Sequence, residues 1–461
     1  MVEDLRARRV GVLVAAILIF TITAVFNSGF IAVDDYASNI EVVVPAQRHP
    51  FGDIVAASDF RPPFANLFLG TVTHTAALLG LSHPINQLIF LRVVLGLLSL
   101  ALFLQAVKRL FKDTSSQMTA LALLAFYFTS PLLFTRPLIE GMCAPWLLLS
   151  AACCVAYQRH KQLGEILLAL LCLTFATLIR YQSGLCLIPL IVCFFRERRW
   201  RHITATLAAA TGLFILVGLW DQALKGNFHG SLVSYFAYNR AHSSSYGVSP
   251  FPTYIFLFLL LSFPVLGLTR LGERNWRALY SPLLAPLSYF SFFVLVHSFV
   301  LHKEERFMEP VMGLFLVLWT PLIDWTKSRW RLGPAIYLNA LLLFLVSTTI
   351  PQKNVIGVAR FVDGHTEIRR ILGLKETLVV FPRAYIERIV PEERVDAIPL
   401  SLPCDTVLAL RADLSDPERL TRYTRAGIFE PGLTERLIIH LNPAKNFRRA
   451  TVELWRPRGC R

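Results

Sequence analysis

Apolar runs of membrane-spanning length recur along the chain, separated by short polar joints. They fall at about residues 10–26, 87–107, 117–134, 141–157, 165–179, 184–195, 203–220, 251–269, 280–300, 308–325 and 332–350. A soluble domain would alternate apolar and polar faces, whereas unbroken runs of about 20 apolar residues read as transmembrane helices. The runs ending at Ile179 and Phe195 are short and predict a shallow pair. The first run follows Arg6, Arg8 and Arg9 in the manner of a signal peptide, but no small-residue cleavage site follows it. It is read as an uncleaved first helix. Residues 64–81 are apolar but interrupted by Thr71, Thr73, His74 and Thr75, which predicts a helix lying on the outer surface or dipping into it.

After residue 350 the pattern changes. Short alternating runs at 377–381, 406–410, 437–441 and 450–455 read as strands. Residues 417–426 predict a helix, with Asp416 suited to its N-cap and Pro417 to its first position. The expected fold is an α-helical polytopic membrane domain over 1–350, whose first outer loop is 27–86, followed by a small α/β extramembrane domain over 351–461.

Charge then sets orientation. The formal net charge of +15 would suggest nucleic acid in a soluble protein, but 54% of the residues are hydrophobic and the basic residues cluster in short loops between apolar runs. They report topology instead, so the expected partner is the lipid bilayer and no nucleic acid. If all basic clusters are cytoplasmic, residues 64–81 do not cross, about eleven helices do, and the C-terminus is outside. Loops 27–86, 135–140, 180–183, 221–250 and 302–307 then share the outer face. Of eight cysteines, Cys143, Cys153, Cys154, Cys172, Cys186 and Cys193 lie in apolar runs without metal-ligand spacing and read as small core residues. Cys404 and Cys460 could pair if the tail is outside.

The outer loops carry the unusual residues. His302, Lys303, Glu304, Glu305 and Arg306 crowd between two apolar runs, more ionisable groups than a wet turn needs. The three cations offer donors to a phosphate, and the glutamates could hold them or bind a polar headgroup. Asp34 and Asp35, with Glu41 close behind, could supply a general base, or serve as a helix cap and acidic turn. Arg61, Arg136 and Arg180 suit phosphate oxygens, or snorkel to headgroups. Tyr238, Asn239, His242 and Tyr246 could stack on and hydrogen-bond a sugar, or form a polar connecting loop.

These residues resemble the mannosyltransferases of glycosyltransferase family 22, in the GT-C superfamily of polyprenyl-phosphate-sugar-dependent enzymes. The most specific match is the hexapeptide from His302 to Phe307, followed by Pro310. Asp34, Asp35 and Glu41 fit the family's first-loop acidic pattern, Arg61 its following arginine, Thr135–Arg136 its Thr-Arg motif, and Tyr238–Asn239 with Tyr246–Gly247 its Tyr-Asn and Tyr-Gly pairs. The chain departs from the family where Asp35 replaces Glu, Pro62 replaces Ser, the Trp-Glu-Tyr element before Arg61 is missing, and Glu140–Gly141 stand for Asn-Ser.

The resemblance implies a GT-C fold with outer-face juxtamembrane helices and inverting transfer of a sugar, mannose in this family. The donor would be a polyprenyl-phosphate carrier and the acceptor a glycolipid or glycan hydroxyl on the outer or luminal face. It assigns the base to Asp34, with Asp35 second. His302, Lys303 and Arg306, with Arg61, Arg136 and Arg180, would bind the donor phosphate. Glu41, Tyr238, Asn239, His242, Tyr246, Glu304 and Glu305 would contact substrate. No cofactor and no metal is required, although an acidic pair suits a divalent cation. The alternative is a transporter or flippase of an anionic lipid-linked sugar, which predicts two related halves that the sequence lacks. A purely structural scaffold would leave the one-sided acids and arginines without a role. No Asn-X-Ser/Thr site occurs on the outer loops or tail, favouring a bacterial cytoplasmic membrane over the endoplasmic reticulum.

Overall fold

The structure is a computed structural model of the 461-residue chain, describing every residue except 1, 32, 34, 35, 59, 60, 196, 243–246, 270–275, 324, 326–328, 379, 380, 447, 448 and 461. The chain divides into two compact units. A helical unit comprises Met1–Ala24, Val55–Phe68 and Arg92–Ser347, and a loop-and-tail unit comprises Val25–Ile54, Leu69–Leu91 and Thr348–Arg461.

Among the described residues, 6 helices are long and apolar enough to cross a membrane: Arg9–Phe26, Pro84–Leu110, Ile139–His160, Trp200–Lys225, Ser281–Ser298 and Leu332–Gly364, the last of them broken at 349–352 into helices Arg329–Thr348 and Lys353–Gly364. Leu163–Ile179, Tyr181–Phe195 and Thr253–Leu266 are shorter apolar helices. The protein is therefore a multi-pass membrane protein. Helix Pro63–Leu78, opened by its proline, has 16 residues. At ~1.5 Å per residue that is about 24 Å, short of the roughly 30 Å hydrocarbon core.

Ile139–His160 is the core of the helical unit. Its Ala144, Ser150, Ala151, Ala152, Cys153 and Cys154 are all buried, and such small side chains let neighbouring helices approach closely. Ser150 Oγ donates to the Ala169 carbonyl at 2.8 Å and lies 3.1 Å from the Tyr289 hydroxyl. Those contacts tie the helix to Leu163–Ile179 and Leu284–Ser298. The six apolar-run cysteines are buried and form no disulfide.

Two expectations for this unit are corrected. The single run at 117–134 is two helices, Thr114–Phe126 and Ser130–Thr135, because Tyr127 is extended and Pro131 opens the second. Asn339 satisfies the break: its Nδ2 donates to the Phe126 carbonyl at 2.7 Å and its Oδ1 accepts from the Phe128 N–H at 3.1 Å. The polar loop expected around Tyr238 is instead helix Gly230–Ala241. The buried Asp221 carboxylate anchors its first turn, accepting from the Ser231 N–H at 2.7 Å and from its hydroxyl at 2.5 Å.

The loop-and-tail unit holds a five-stranded sheet of β1 (Arg370–Leu374), β2 (Glu392–Val395), β3 (Thr406–Arg411), β4 (Tyr423–Phe429) and β5 (Val452–Pro457), in the order β2-β1-β3-β5-β4. β1 pairs in parallel with β2 and β3, while β5 is antiparallel to β3 and β4. Leu372, Leu374, Leu408, Leu410, Leu420 and Tyr423 form one apolar cluster. Helix Lys353–Gly364 buries Val355, Ile356, Val358, Ala359 and Val362. Cys404 and Cys460 are disulfide-bonded across a separation of 56 residues.

The runs at 406–410 and 450–455 are strands as expected, but three tail assignments are corrected. The first strand lies before 377–381, where Thr377 Oγ1 caps a turn by donating to the Leu374 carbonyl at 2.7 Å. The run at 437–441 belongs to helix Leu433–Leu441, whose apolar residues 433, 437, 438 and 441 follow a helical period. The helix expected at 417–426 is a short 3₁₀ turn, Arg419–Arg422, running into β4. The cap position of that turn is Glu418, so Asp416 is not its N-cap; its Oδ1 accepts from the Glu418 N–H at 3.1 Å ahead of the turn. Tyr423 then becomes extended and enters the apolar cluster.

Segments of the first outer loop pack within the same unit as the tail. The Tyr36 hydroxyl accepts from the Ala384 N–H at 2.7 Å, the Tyr385 hydroxyl donates to the Ser28 carbonyl at 2.6 Å, and the two rings stack at 6.3 Å.

Candidate active site

In the helical unit, Arg180 ends helix Leu163–Ile179 in an extended conformation while its N–H still closes the last turn onto the Ala176 carbonyl at 2.9 Å. Its guanidinium is only 4% exposed and pairs with the buried Glu140 carboxylate. Glu140 lies in the first turn of Ile139–His160, where the helix dipole favours a negative charge. Gly141 follows because a Cβ there would collide with the Leu133 carbonyl.

The hexapeptide meets this pair. The Phe307 ring centroid is 5.3 Å from the Arg180 guanidinium carbon and 5.7 Å from that of Arg306, so two cations flank one aromatic face system. One carboxylate organises the rest: Glu304 lies 2.8 Å from His302 Nε2 through one oxygen and 2.5 Å from Arg306 Nε through the other. Lys303 Nζ donates to the carbonyls of Ser249 at 2.9 Å and Val300 at 2.5 Å. Glu305 is exposed. The positions predicted from sequence at His302, Glu304 and Arg306 therefore form one network, joined to Arg180 through Phe307, while Lys303 is held beside it by backbone carbonyls.

Arg136 is buried and extended ahead of Pro137, as a residue before proline favours. Arg61 is half-exposed, and its carbonyl accepts from Lys225 Nζ at 3.4 Å. Tyr235 lies within electrostatic reach of Arg180 and Arg61. Burial pushes its hydroxyl pKa up, opposed by the charge of Arg180, with Glu140 and Arg61 also acting on it. Its ring meets Tyr181 edge-on at 5.5 Å. Asn239 Nδ2 donates to the Tyr235 carbonyl at 2.7 Å, and Tyr238 stacks on His242 at 4.3 Å.

Glu41 belongs to the loop-and-tail unit, 3.8 Å from Arg383. Burial raises its pKa and Arg383 lowers it. Asp34, Asp35 and Tyr246 lie outside the described residues. Among the described residues no group of three or more His, Cys, Asp and Glu side chains is placed to hold a metal ion.

Sequence reasoning missed Glu140 as the partner of Arg180 and Tyr235 as a residue within electrostatic reach of Arg180 and Arg61. Both left a signal. Glu140 stood out as a departure from the family pattern, and Tyr235 sits one helical turn before Tyr238 and Asn239. An apolar cavity of ≈ 210 Å³ is lined in part by Leu173, Thr177, Phe214, Val217 and Tyr181, the residue following Arg180.

Residues 60–362 match the Alg9-like mannosyltransferase family. The chain belongs to that family. It is a membrane glycosyltransferase, and its fold is the GT-C fold of ArnT. The structure of ArnT from Cupriavidus metallidurans bound to undecaprenyl phosphate matches with TM-score 0.59 at 11% identity, covering 98% of each chain. The apo structure of ArnT from the same organism matches with TM-score 0.55 at 13% identity, covering 88% of this chain and 93% of that one. No curated protein sequence matches the chain.

Proposed function

We propose that this glycosyltransferase moves mannose from a polyprenyl-phosphate carrier to a hydroxyl of a glycolipid or glycan on the outer face of the membrane, with inversion at the anomeric carbon. The family supports the sugar. The observation that carries the donor is the buried Arg180 beside Arg306 across Phe307; the next residue, Tyr181, lines an apolar cavity suited to an isoprenoid tail. The undecaprenyl phosphate bound by ArnT in the same fold agrees with that chemistry.

In this reading the acceptor oxygen attacks the anomeric carbon as the carbon–oxygen bond to the phosphate breaks. Asp34 takes the acceptor proton, with Asp35 as the second candidate. The leaving phosphate keeps the bonding electron pair and is stabilised by Lys303, Arg306, His302 and Arg180, with Arg61 and Arg136. Glu304 fixes two of those cations before the donor arrives, which lowers the reorganisation needed during transfer. Glu41, Tyr238, Asn239, His242, Tyr246 and Glu305 contact the sugar or acceptor. No metal is required, although the acidic pair suits a divalent cation; chelation with EDTA is expected to leave the rate within about twofold, and a loss approaching the ~10²-fold of a missing catalytic group would count against it. The Cys404–Cys460 bond favours an oxidising compartment for the tail, and hence the outer or luminal face of the membrane.

The test is transfer of radiolabelled mannose from polyprenyl phosphate to a total lipid extract by purified protein, beside Asp34→Asn. Label reaching a new lipid only with the unmodified protein is expected. Carrier that crosses between leaflets without being consumed would overturn the reading in favour of a transporter.

A further inference from the structure

Helix Leu433–Leu441 presents its apolar side to the exterior of the loop-and-tail unit. Leu433, Leu437 and Leu441 are 78%, 61% and 73% exposed, with Ile438 beside them, whereas Glu435 on the opposite side is buried. A soluble domain gains nothing by exposing four large apolar side chains on one stripe, and such a stripe marks a surface that something covers.

The helix is fixed next to the end of the last membrane span. Glu435 Oε1 accepts from the Gln352 N–H at 2.8 Å, and a Cβ on Gly432 would stand 3.8 Å from Thr349 and 3.9 Å from the Ile350 carbonyl. Residues 349–352 directly follow helix Arg329–Thr348, so the stripe is tethered within a few residues of the point where the chain leaves the hydrocarbon. Ile350 also lines a cleft with Lys353, Arg360, Ile428 and Phe429. Its cations lie two helical turns apart on Lys353–Gly364, and its acid, Glu430, is paired with Arg436 of the stripe helix. An apolar stripe flanked by cations at the level of a membrane exit is the chemistry of an interfacial helix on an anionic leaflet.

We propose that helix Leu433–Leu441 inserts its Leu433, Leu437, Ile438 and Leu441 side chains into the leaflet at which the last span ends, and that the Lys353–Arg360 cleft takes an anionic phospholipid headgroup of that leaflet. The tail domain is thereby a membrane-docked body rather than one suspended in water. This goes beyond the glycosyl-transfer reading and stands or falls separately from it.

The full-length enzyme carrying Leu437→Cys, labelled with bimane, is placed in nanodiscs containing doxyl-labelled lipid. The six native cysteines outside the disulfide are buried and Cys404 is bonded to Cys460, so the introduced thiol takes the label. Arg394→Cys, exposed on the edge strand β2, is the control. The expected result is blue-shifted emission and at least a threefold greater doxyl quench at position 437. Emission like the control's, with quenching by aqueous iodide, overturns insertion. Protection from iodide without doxyl quenching also overturns it, and assigns the stripe to a protein partner or a second copy. Replacing phosphatidylcholine with phosphatidylglycerol is expected to raise the quench about twofold, and Lys353→Gln with Arg360→Gln to abolish that gain. No gain, or a gain that survives the double substitution, overturns the headgroup site.

Discussion

The two units gather their charged groups in opposite ways. In the helical unit, His302, Glu304 and Arg306 organise one another within five positions of sequence, and Arg180 needs only a helix end and the first turn of the preceding helix to meet Glu140. In the loop-and-tail unit, Tyr36 and Glu41 are held by Ala384 and Arg383, more than 340 residues away. The cationic network is therefore a local device that survives wherever its helices pack. The segment following the acidic pair depends on a distant domain. Donor-phosphate binding and base catalysis should then respond separately to substitution, although both serve one reaction.

The largest expected effect tests the acid side. A positioned base contributes about 10²–10⁴-fold to rate. Asp34→Asn should lower kcat by that order with little change in donor affinity, measured by single-turnover transfer beside equilibrium binding of polyprenyl phosphate. A loss confined to donor affinity would erase the contrast between the units.

On the cationic side, Arg180→Ala should lower kcat/KM by roughly 10²–10³, the usual cost of a lost stabilising donor. Glu140→Gln sharpens the point, since it keeps the shape and leaves Arg180 buried without its anion. Breaking a buried pair from one side typically costs ~3–5 kcal/mol. The free variant should melt at a lower temperature than the wild type, and polyprenyl phosphate, supplying an anion, should raise its melting temperature more than it raises the wild type's. Equal shifts in both proteins would mean that Arg180 does not face the donor.

A smaller loss is expected from the tail. Tyr385→Phe removes the bond to the Ser28 carbonyl while keeping the ring stacked on Tyr36. A net hydrogen bond is worth ~1 kcal/mol. If that loss reaches the base geometry, kcat falls about fivefold while donor affinity holds. Unchanged kcat would show that the tail merely covers the loop.

The difference between the units also explains what could be read from the chain. Membrane runs and the hexapeptide are contiguous, so hydropathy and one motif revealed them. Glu304 as the holder of two cations followed from charge neighbouring charge. Glu140 on Arg180 did not, because its chemistry sits on a different helix and announced itself only as a glutamate in an odd place. Tyr235 is not legible because its segment reads as a loop, and the buried Asp221 anchor that makes it helical is visible only in three dimensions. In the tail, short apolar runs such as 437–441 fit a strand and a helix equally until Gly432 and Glu435 close the helix start. The pairing of the first loop with the tail left no mark in either stretch.

The smallest effect is a pH dependence confined to the loop-and-tail unit. Burial raises the pKa of Glu41 and of Glu392 above the model-compound value of 4.5, and the Arg383 charge is the largest influence opposing it in both. A carboxyl whose folded pKa is raised binds its proton more tightly in the native state. Its stabilising contribution is complete below about 4.5 and is lost as pH rises through the folded value. Arg383→Ala removes the shared cation, lifts both folded values further and deepens the loss at neutral pH. The variant should therefore melt roughly 2–4 °C below the wild type at pH 8, with the gap closing substantially by pH 5 as the carboxyls take up protons in both proteins. Adding Glu41→Gln to Arg383→Ala should flatten much of that pH dependence, because one of the two titrating groups is gone. A gap that stays constant from pH 5 to pH 8 would show that Arg383 acts through packing alone, and that the loop and tail are joined by the Tyr36 and Tyr385 contacts without electrostatic help.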